Sequence, residues 1–365
     1  MNEPVKQPEP EPKSDGELPS DRQTPSERPE NPRVFYAKPR RVLLPVVLFL
    51  LTCVSTFWVG VCQWTPNLLE PWRLVIVGGS LLPLRELLLT NWESGLIYMA
   101  CVLTILLLHE FGHFFMTVYY RVPASYPFFL PFPLNPLGTL GAVIGMQGNV
   151  ADRKQIFDIG IAGPLAGLVA AVPIAYYGVS QLDMTGPDYG GLGFRMPLLL
   201  DWFAKITEVP GYQSGQIVFL NKLNPWFVAG WVGMLVTGLN MMPVGQLDGG
   251  HVTYTMFGKA AHVIAQLAIV GAIGYMVYHL NFMLGLMVVL VLLMGPKHPP
   301  TLDDSVPLGV FRYALGLASL AIPVLCFPPR VFEILSNQPG ILEMLWSLLI
   351  GIAEYFRDLV QVVCY

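Results

Sequence analysis

The feature that most constrains this chain is its apolar blocks, runs of about 16 to 25 residues separated by short polar stretches, the length that crosses a hydrocarbon core about 30 Å thick. A chain entering that medium must satisfy its backbone polar groups internally, and helices do so within each segment. The blocks therefore predict an all-α polytopic membrane protein. Composition agrees: 53% of residues are hydrophobic and 13% charged, the latter about half the share of a soluble domain. A net charge of −4, with no basic run beyond Arg40 and Arg41, excludes nucleic acid as a partner and leaves the lipid bilayer. The five cysteines show no CxxC spacing and read as buried thiols packing as small hydrophobes.

Residues 1–40 form a Pro-rich tail. Nine prolines and eight acidic residues lie between Met1 and Pro39, too little apolar surface to offset the entropy of ordering, so the tail is expected to be disordered. It has no apolar core of a cleavable signal, and its acidic residues argue against an organelle transit peptide. A prokaryotic plasma membrane is the expected location. Arg33, Lys38, Arg40 and Arg41 keep the N-terminus cytoplasmic by the positive-inside rule.

Residues 41–94 are then a first span, Val42 to Trp64, and an interfacial segment, Leu74 to Leu89, interrupted by Gly78, Gly79, Pro83, Arg85 and Glu86. Residues 95–258 hold three further spans, Gly95 to Tyr119, Ile156 to Val179 and Pro225 to Pro243. Residues 259–365 add Ala260 to His279, Phe282 to Gly295 and Leu308 to Phe327. The total is about seven transmembrane helices, with Ile341 to Val363 either a surface helix or an eighth. The outward loop from Gln181 to Leu223 is too short for an independent substrate-binding domain.

Chemistry concentrates at His109, Glu110, Phe111, Gly112 and His113, an HExxH pattern inside an apolar helix. Histidines four apart share a helical face, so both imidazoles can reach one Zn2+ ion, one per chain, while Glu110 can take a proton from water activated by the metal. Three ionisable residues within five positions of a span are costly in lipid and mark a functional site. A catalytic zinc needs a third protein ligand. Asp248 supplies it, in a stretch where Pro243, Gly245, Gly249 and Gly250 interrupt the helix and free the backbone to line a cavity. His251 is the weaker rival.

HEFGH and the NxxPxxxLDGG pattern from Asn240 to Gly250 resemble the two defining motifs of the site-2 proteases, intramembrane zinc endopeptidases. Leu137 to Ile144, Asn149, and Asp158 to Gly167 are similar to the branch found in cyanobacteria and plant chloroplasts. The resemblance covers roughly residues 78–258 and includes no PDZ or CBS domain. It implies a three-helix metalloprotease core near His109, Asp158 and Asp248 that hydrolyses peptide bonds within or next to the transmembrane segments of protein substrates. Five prolines between Val122 and Pro136 forbid a regular helix there, and Thr139 to Gly145 reads as a short membrane-associated β segment. Such a strand could add to an unwound substrate, making Thr139, Leu140, Gly141, Ala142 and Asn149 candidate substrate-binding residues; the alternative is a loop that only covers the site. Asn240 could donate to the carbonyl oxygen as charge develops, a second catalytic role beside Glu110. Gly163, Pro164 and Gly167 read as close-packing positions. A polytopic metal transporter using the same His and Asp residues is the alternative function, and Glu110 discriminates: a transporter predicts loss of metal flux in Glu110→Gln, a protease an intact metal site with no cleavage.

Overall fold

In the computed structural model, the described residues are 42–64, 68, 70–133, 135–186, 191–279, 295, 298–327 and 333–335. The Pro-rich tail, the return span from Phe282 to Gly295 (apart from Gly295) and the segment from Ile341 to Val363 lie outside them.

The chain is mostly helical. Among the described residues three helices are long and apolar enough to cross a membrane: α1 (Leu43–Val61), α3 (Leu82–Tyr119) and α4 (Arg153–Ser180). Between α1 and α3 lies α2 (Glu70–Gly78), closed by Gly79 at φ +60. The expected interfacial break at Leu74 to Leu89 is therefore shorter than the sequence suggested. Pro83 occupies the first helical turn of α3, where a missing N–H costs nothing, so it starts the helix instead of interrupting it. The division placed at residues 94 and 95 falls inside this one helix of 38 residues, about 57 Å long at the ordinary rise per residue, so its first turns extend beyond a bilayer core.

α4 begins with a capping box in which Asp152 accepts from the Gln155 N–H and the Gln155 side chain accepts from the Asp152 N–H. After it come α5 (Leu198–Ile206) and α6 (Pro225–Asn240), the latter capped by Asn224 with Pro225 in its first turn. α6 is buried almost all round, from Phe227 to Leu235 and again at Thr237 and Gly238. This is what a helix enclosed by others should show. α3 packs against α1, α4 and α6, and α4 packs against both α3 and α6. α7 (Asp248–Phe257) packs on α4, and α8 (Ala260–His279) follows.

The expected span from Leu308 to Phe327 is two helices, α9 (Val310–Ser319) and α10 (Ile322–Cys326). Pro323 cannot donate to a carbonyl one turn back, so the ladder is interrupted before it and restarts with Pro323 in the new first turn.

The β structure exceeds the single expected segment. β2 (Thr139–Val143) forms within Thr139 to Gly145 as expected and pairs antiparallel with β1 (Phe128–Pro131), across a register shift between Phe129 and Pro131. β1 comes from the Pro-rich stretch: Pro131 is tolerated because the pair is irregular there. A second sheet has the order β4, β3, β5, built from β3 (Gly191–Arg195), β4 (Ile217–Phe219) and β5 (Glu333–Leu335), all antiparallel. The segment from Gln181 to Leu223, expected as a loop, thus contains β3, α5 and β4 among its described residues. Phe194 of β3 is fully buried and stacks on Trp231 of α6 with centroids 4.7 Å apart, fixing the sheet to the helix bundle.

Candidate metal centre

His109 and His113 lie on successive turns of α3, and the turn from Met241 to Leu247 returns the chain so that α7 begins with Asp248 facing them. The three side chains form a triangle. His109 Nε2 lies 3.3 Å from His113 Nε2 and 3.2 Å from Asp248 Oδ2, and His113 Nε2 lies 3.3 Å from Asp248 Oδ1. In a tetrahedron the edge is about 1.6 times the bond length, so zinc–ligand bonds of about 2.0–2.1 Å require edges of about 3.3 Å. The His109–His113 edge matches, and each imidazole faces its own oxygen of the one Asp248 carboxylate, which turns both oxygens toward the space between the rings. Among the described residues this is the one group of three or more His, Cys, Asp or Glu side chains with donor atoms close enough to share an ion.

The imidazoles present the correct nitrogens. His113 Nδ1 donates to the Ile159 carbonyl oxygen at 2.7 Å, which leaves Nε2 with its lone pair toward the triangle. His109 is buried, and its Nδ1 has no hydrogen-bond partner among the described residues, so its polar interactions run through Nε2. Two imidazole lone pairs facing each other at 3.3 Å repel unless a cation or proton lies between them. The donor set therefore fits a divalent metal, with two nitrogens and one carboxylate, the ligand chemistry of catalytic zinc.

Close approach of α4 brings the rings into place. A Cβ on Gly163 would overlap the His113 ring, and one on Gly167 would lie 3.1 Å from both Cβ and Nδ1 of His109. These two glycines form the floor of the site, consistent with packing positions in a membrane helix.

Glu110 is buried on α3 directly after His109. Asn240, the last residue of α6, sets its side-chain Nδ2 3.2 Å from His109 Nε2. The structure therefore brings together Glu110, Asn240 and the three metal candidates. His251 is not in that group: its Nδ1 faces His298 Nε2 instead. Three residues along α7 from Asp248, its ring lies over Gly160 of α4 rather than with the donor triangle.

Of the strand residues, Thr139 is buried and its hydroxyl donates to the Leu130 carbonyl, while the Gly141 N–H donates to the Thr139 hydroxyl oxygen. Both are engaged within the hairpin. Leu140 and Val143 are exposed, Ala142 is half-buried, and Asn149 is exposed on the 3-10 turn Gly148–Val150 ahead of α4. Asp158 lies outside the donor triangle. Its carboxylate accepts two hydrogen bonds from Arg312 of α9, both 2.7 Å, and one from the Tyr120 hydroxyl at 2.5 Å. The pairing was not foreseen, although a lone acid and a lone base in separate apolar blocks are a signal that could have found it.

The sequence profile of Peptidase family M50 matches residues 97–284. The probable zinc metalloprotease EGY1 of Arabidopsis thaliana, a chloroplast protein, is 32% identical over 321 residues, covering 82% of this chain and 55% of the relative. Its counterpart in Oryza sativa subsp. japonica is 32% identical over 313 residues, covering 82% and 52%. The probable zinc metalloprotease EGY2 of Arabidopsis thaliana is 26% identical over 254 residues, covering 69% and 44%. The chain spans about half the length of the curated relatives it matches. All three are named as metalloproteases, so the transporter reading is not favoured. The profile match, together with the His109, His113 and Asp248 donor set, shows that this membrane protein belongs to Peptidase family M50, the site-2 protease family.

Proposed function

We propose that the chain is an intramembrane zinc endopeptidase that hydrolyses peptide bonds within or next to the transmembrane segments of membrane-protein substrates. The observation that carries this reading is the donor triangle, with edges of 3.2 to 3.3 Å, set beside a buried Glu110 in a helix long and apolar enough to cross a bilayer. Zinc held by His109, His113 and Asp248 supplies a Lewis acid for the scissile carbonyl and lowers the pKa of the attacking water. Glu110 accepts the proton of that water and returns it to the leaving amine nitrogen. Asn240 donates a hydrogen bond to the carbonyl oxygen as negative charge develops.

The substrate must unwind locally, since each backbone bond broken in lipid costs several kcal/mol unless replaced. β2 supports a replacement: among the described residues it has one strand partner, β1, so its other edge carries no ladder. With Thr139 and Gly141 engaged within the hairpin, the substrate contact is assigned to the backbone at Leu140 and Ala142 and to the Leu140 side chain, with Asn149 at the margin. The reading extends to about seven spans in a prokaryotic plasma membrane, with a cytoplasmic N-terminus that the placement of positive charge supports. The functional test compares the membrane proteomes of cells carrying wild type and Glu110→Gln. A membrane protein accumulating uncut in Glu110→Gln cells supports the reading, and identical proteomes under conditions where the protein is expressed contradict it.

A further inference from the structure

Beyond the matched residues 97–284, the chain places a histidine against the helix that carries the third metal candidate. His298 is buried, its Nδ1 donates to the Pro299 carbonyl oxygen at 2.5 Å, and its Nε2 lies 2.5 Å from His251 Nδ1. Those contacts set both tautomers. With the Nδ1 proton of His298 given to Pro299, its Nε2 can only accept, so His251 donates from Nδ1. Tyr254, one turn further along α7, stacks on the His298 ring with centroids 4.4 Å apart, and its hydroxyl donates to Asp304 Oδ2 at 2.8 Å. On the opposite side, the His251 Cβ lies 2.9 Å from where a Cβ on Gly160 would be. The His251 ring is thus held between α4 and the segment carrying His298. His251 and Asp248 stand three apart on one helix and lie on neighbouring parts of its surface, so holding His251 limits rotation and sliding of the helix that presents the Asp248 carboxylate.

We infer that His298, outside the family domain, is a positioning residue for the metal centre, acting through His251 to set the Asp248 carboxylate against the two α3 histidines. The inference rests on the zinc reading above. Productive metal geometry tolerates only about 0.5 Å of misplacement; loss of a hydrogen bond made to a ligand itself costs about 10–100-fold in metal affinity, and the His298 bond, made to a neighbour of a ligand, belongs at the lower end of that range.

The test measures zinc affinity by chelator competition on the full chain in detergent, with thermal unfolding of the metal-free protein alongside. His298→Leu removes the acceptor and should weaken zinc by about 10-fold, the lower end of what bonds to the ligands themselves cost. His298→Gln, which can accept at a similar position, should restore affinity to within a few-fold. Unchanged affinity in His298→Leu, or equal loss in Leu and Gln, overturns the inference. Should His298→Leu not fold, the His251 pair decides: His251→Asn keeps a donor near the Nδ1 position and should bind zinc far better than His251→Ala, and equal behaviour overturns it. Wild type that binds no zinc, or Asp248→Ala that binds it fully, would instead overturn the zinc reading itself.

Discussion

Replacing Gly163 with alanine sets two effects against each other with different readouts. In a helix interior the change is favourable by about 1 kcal/mol, because alanine loses less backbone entropy than glycine. In this structure the added Cβ lands on His113 Nε2, with Cδ2 and Cε1 of the same ring alongside. Ordinary contacts between such atoms need about 3.5 Å, against 2.0 Å here, so the ring must retreat by about 1.5 Å. That exceeds the tolerance of about 0.2 Å on a metal–ligand bond and removes one of three ligands. Zinc affinity should fall by about 100-fold or more, beyond what loss of a supporting hydrogen bond costs. Gly167→Ala is the internal control: its Cβ would lie 3.1 Å from His109, so a shift of a few tenths of an ångström accommodates it and the loss should be a few-fold. The assay is chelator competition on purified protein, with thermal unfolding of the metal-free form. Wild-type zinc affinity in Gly163→Ala would refute the argument that α4 packing sets the position of His113.

Arg312→Leu should destabilise the protein by about 2 kcal/mol in chemical denaturation, less than a fully buried pair because Arg312 is 32% exposed and partly screened; unchanged stability would make the pair a solvated surface contact. Asn240→Ala should lower kcat by about 10²- to 10³-fold while retaining zinc, and an unchanged kcat removes Asn240 from the oxyanion role. Burial raises the Asp201 carboxyl, but hydrogen bonds from Lys205, Tyr212 and Ser214 outweigh it and hold the group below the ordinary aspartate range. Its contribution is therefore present at neutral pH and lost as pH falls through the lowered value; Asp201→Asn should abolish that part of the acid sensitivity of unfolding.

How far the site was legible depended on sequence distance and on chemical cost. His109, Glu110 and His113 stand within one helical segment, so their spacing alone put two imidazoles on one face. Asp248 could be paired with them from afar because an acid among broken apolar helices is expensive without a partner. The hairpin was half legible: Thr139 to Gly145 reads as a short strand and β2 lies within it, whereas β1 hides in prolines that usually argue against one. The sheet of β3, β4 and β5 left little trace, since strands of 3 to 5 residues are too short to show an alternating pattern. Pro83 reads as an interruption and the span from Leu308 to Phe327 reads as continuous across Pro323, yet both prolines sit in first turns, because the same residue breaks a helix from within and begins one at its start. Asp158 and Arg312 meet across 154 positions, and His251 and His298 across 47, distances over which local pattern carries no information.

The central claim is that three ligands hold zinc while Glu110 performs the proton transfer of peptide hydrolysis, and one paired measurement reaches it directly. Purified wild type and Glu110→Gln, in the same detergent, are assayed for bound zinc per chain and for cleavage of a model transmembrane peptide containing Gly and Pro. Wild type should carry about one zinc and cut the peptide, and Glu110→Gln should carry the same zinc and leave the peptide intact, because the amide keeps the shape of the carboxylate but cannot take a proton. Cleavage at the wild-type rate by Glu110→Gln, or its loss of the metal, would contradict that division of roles.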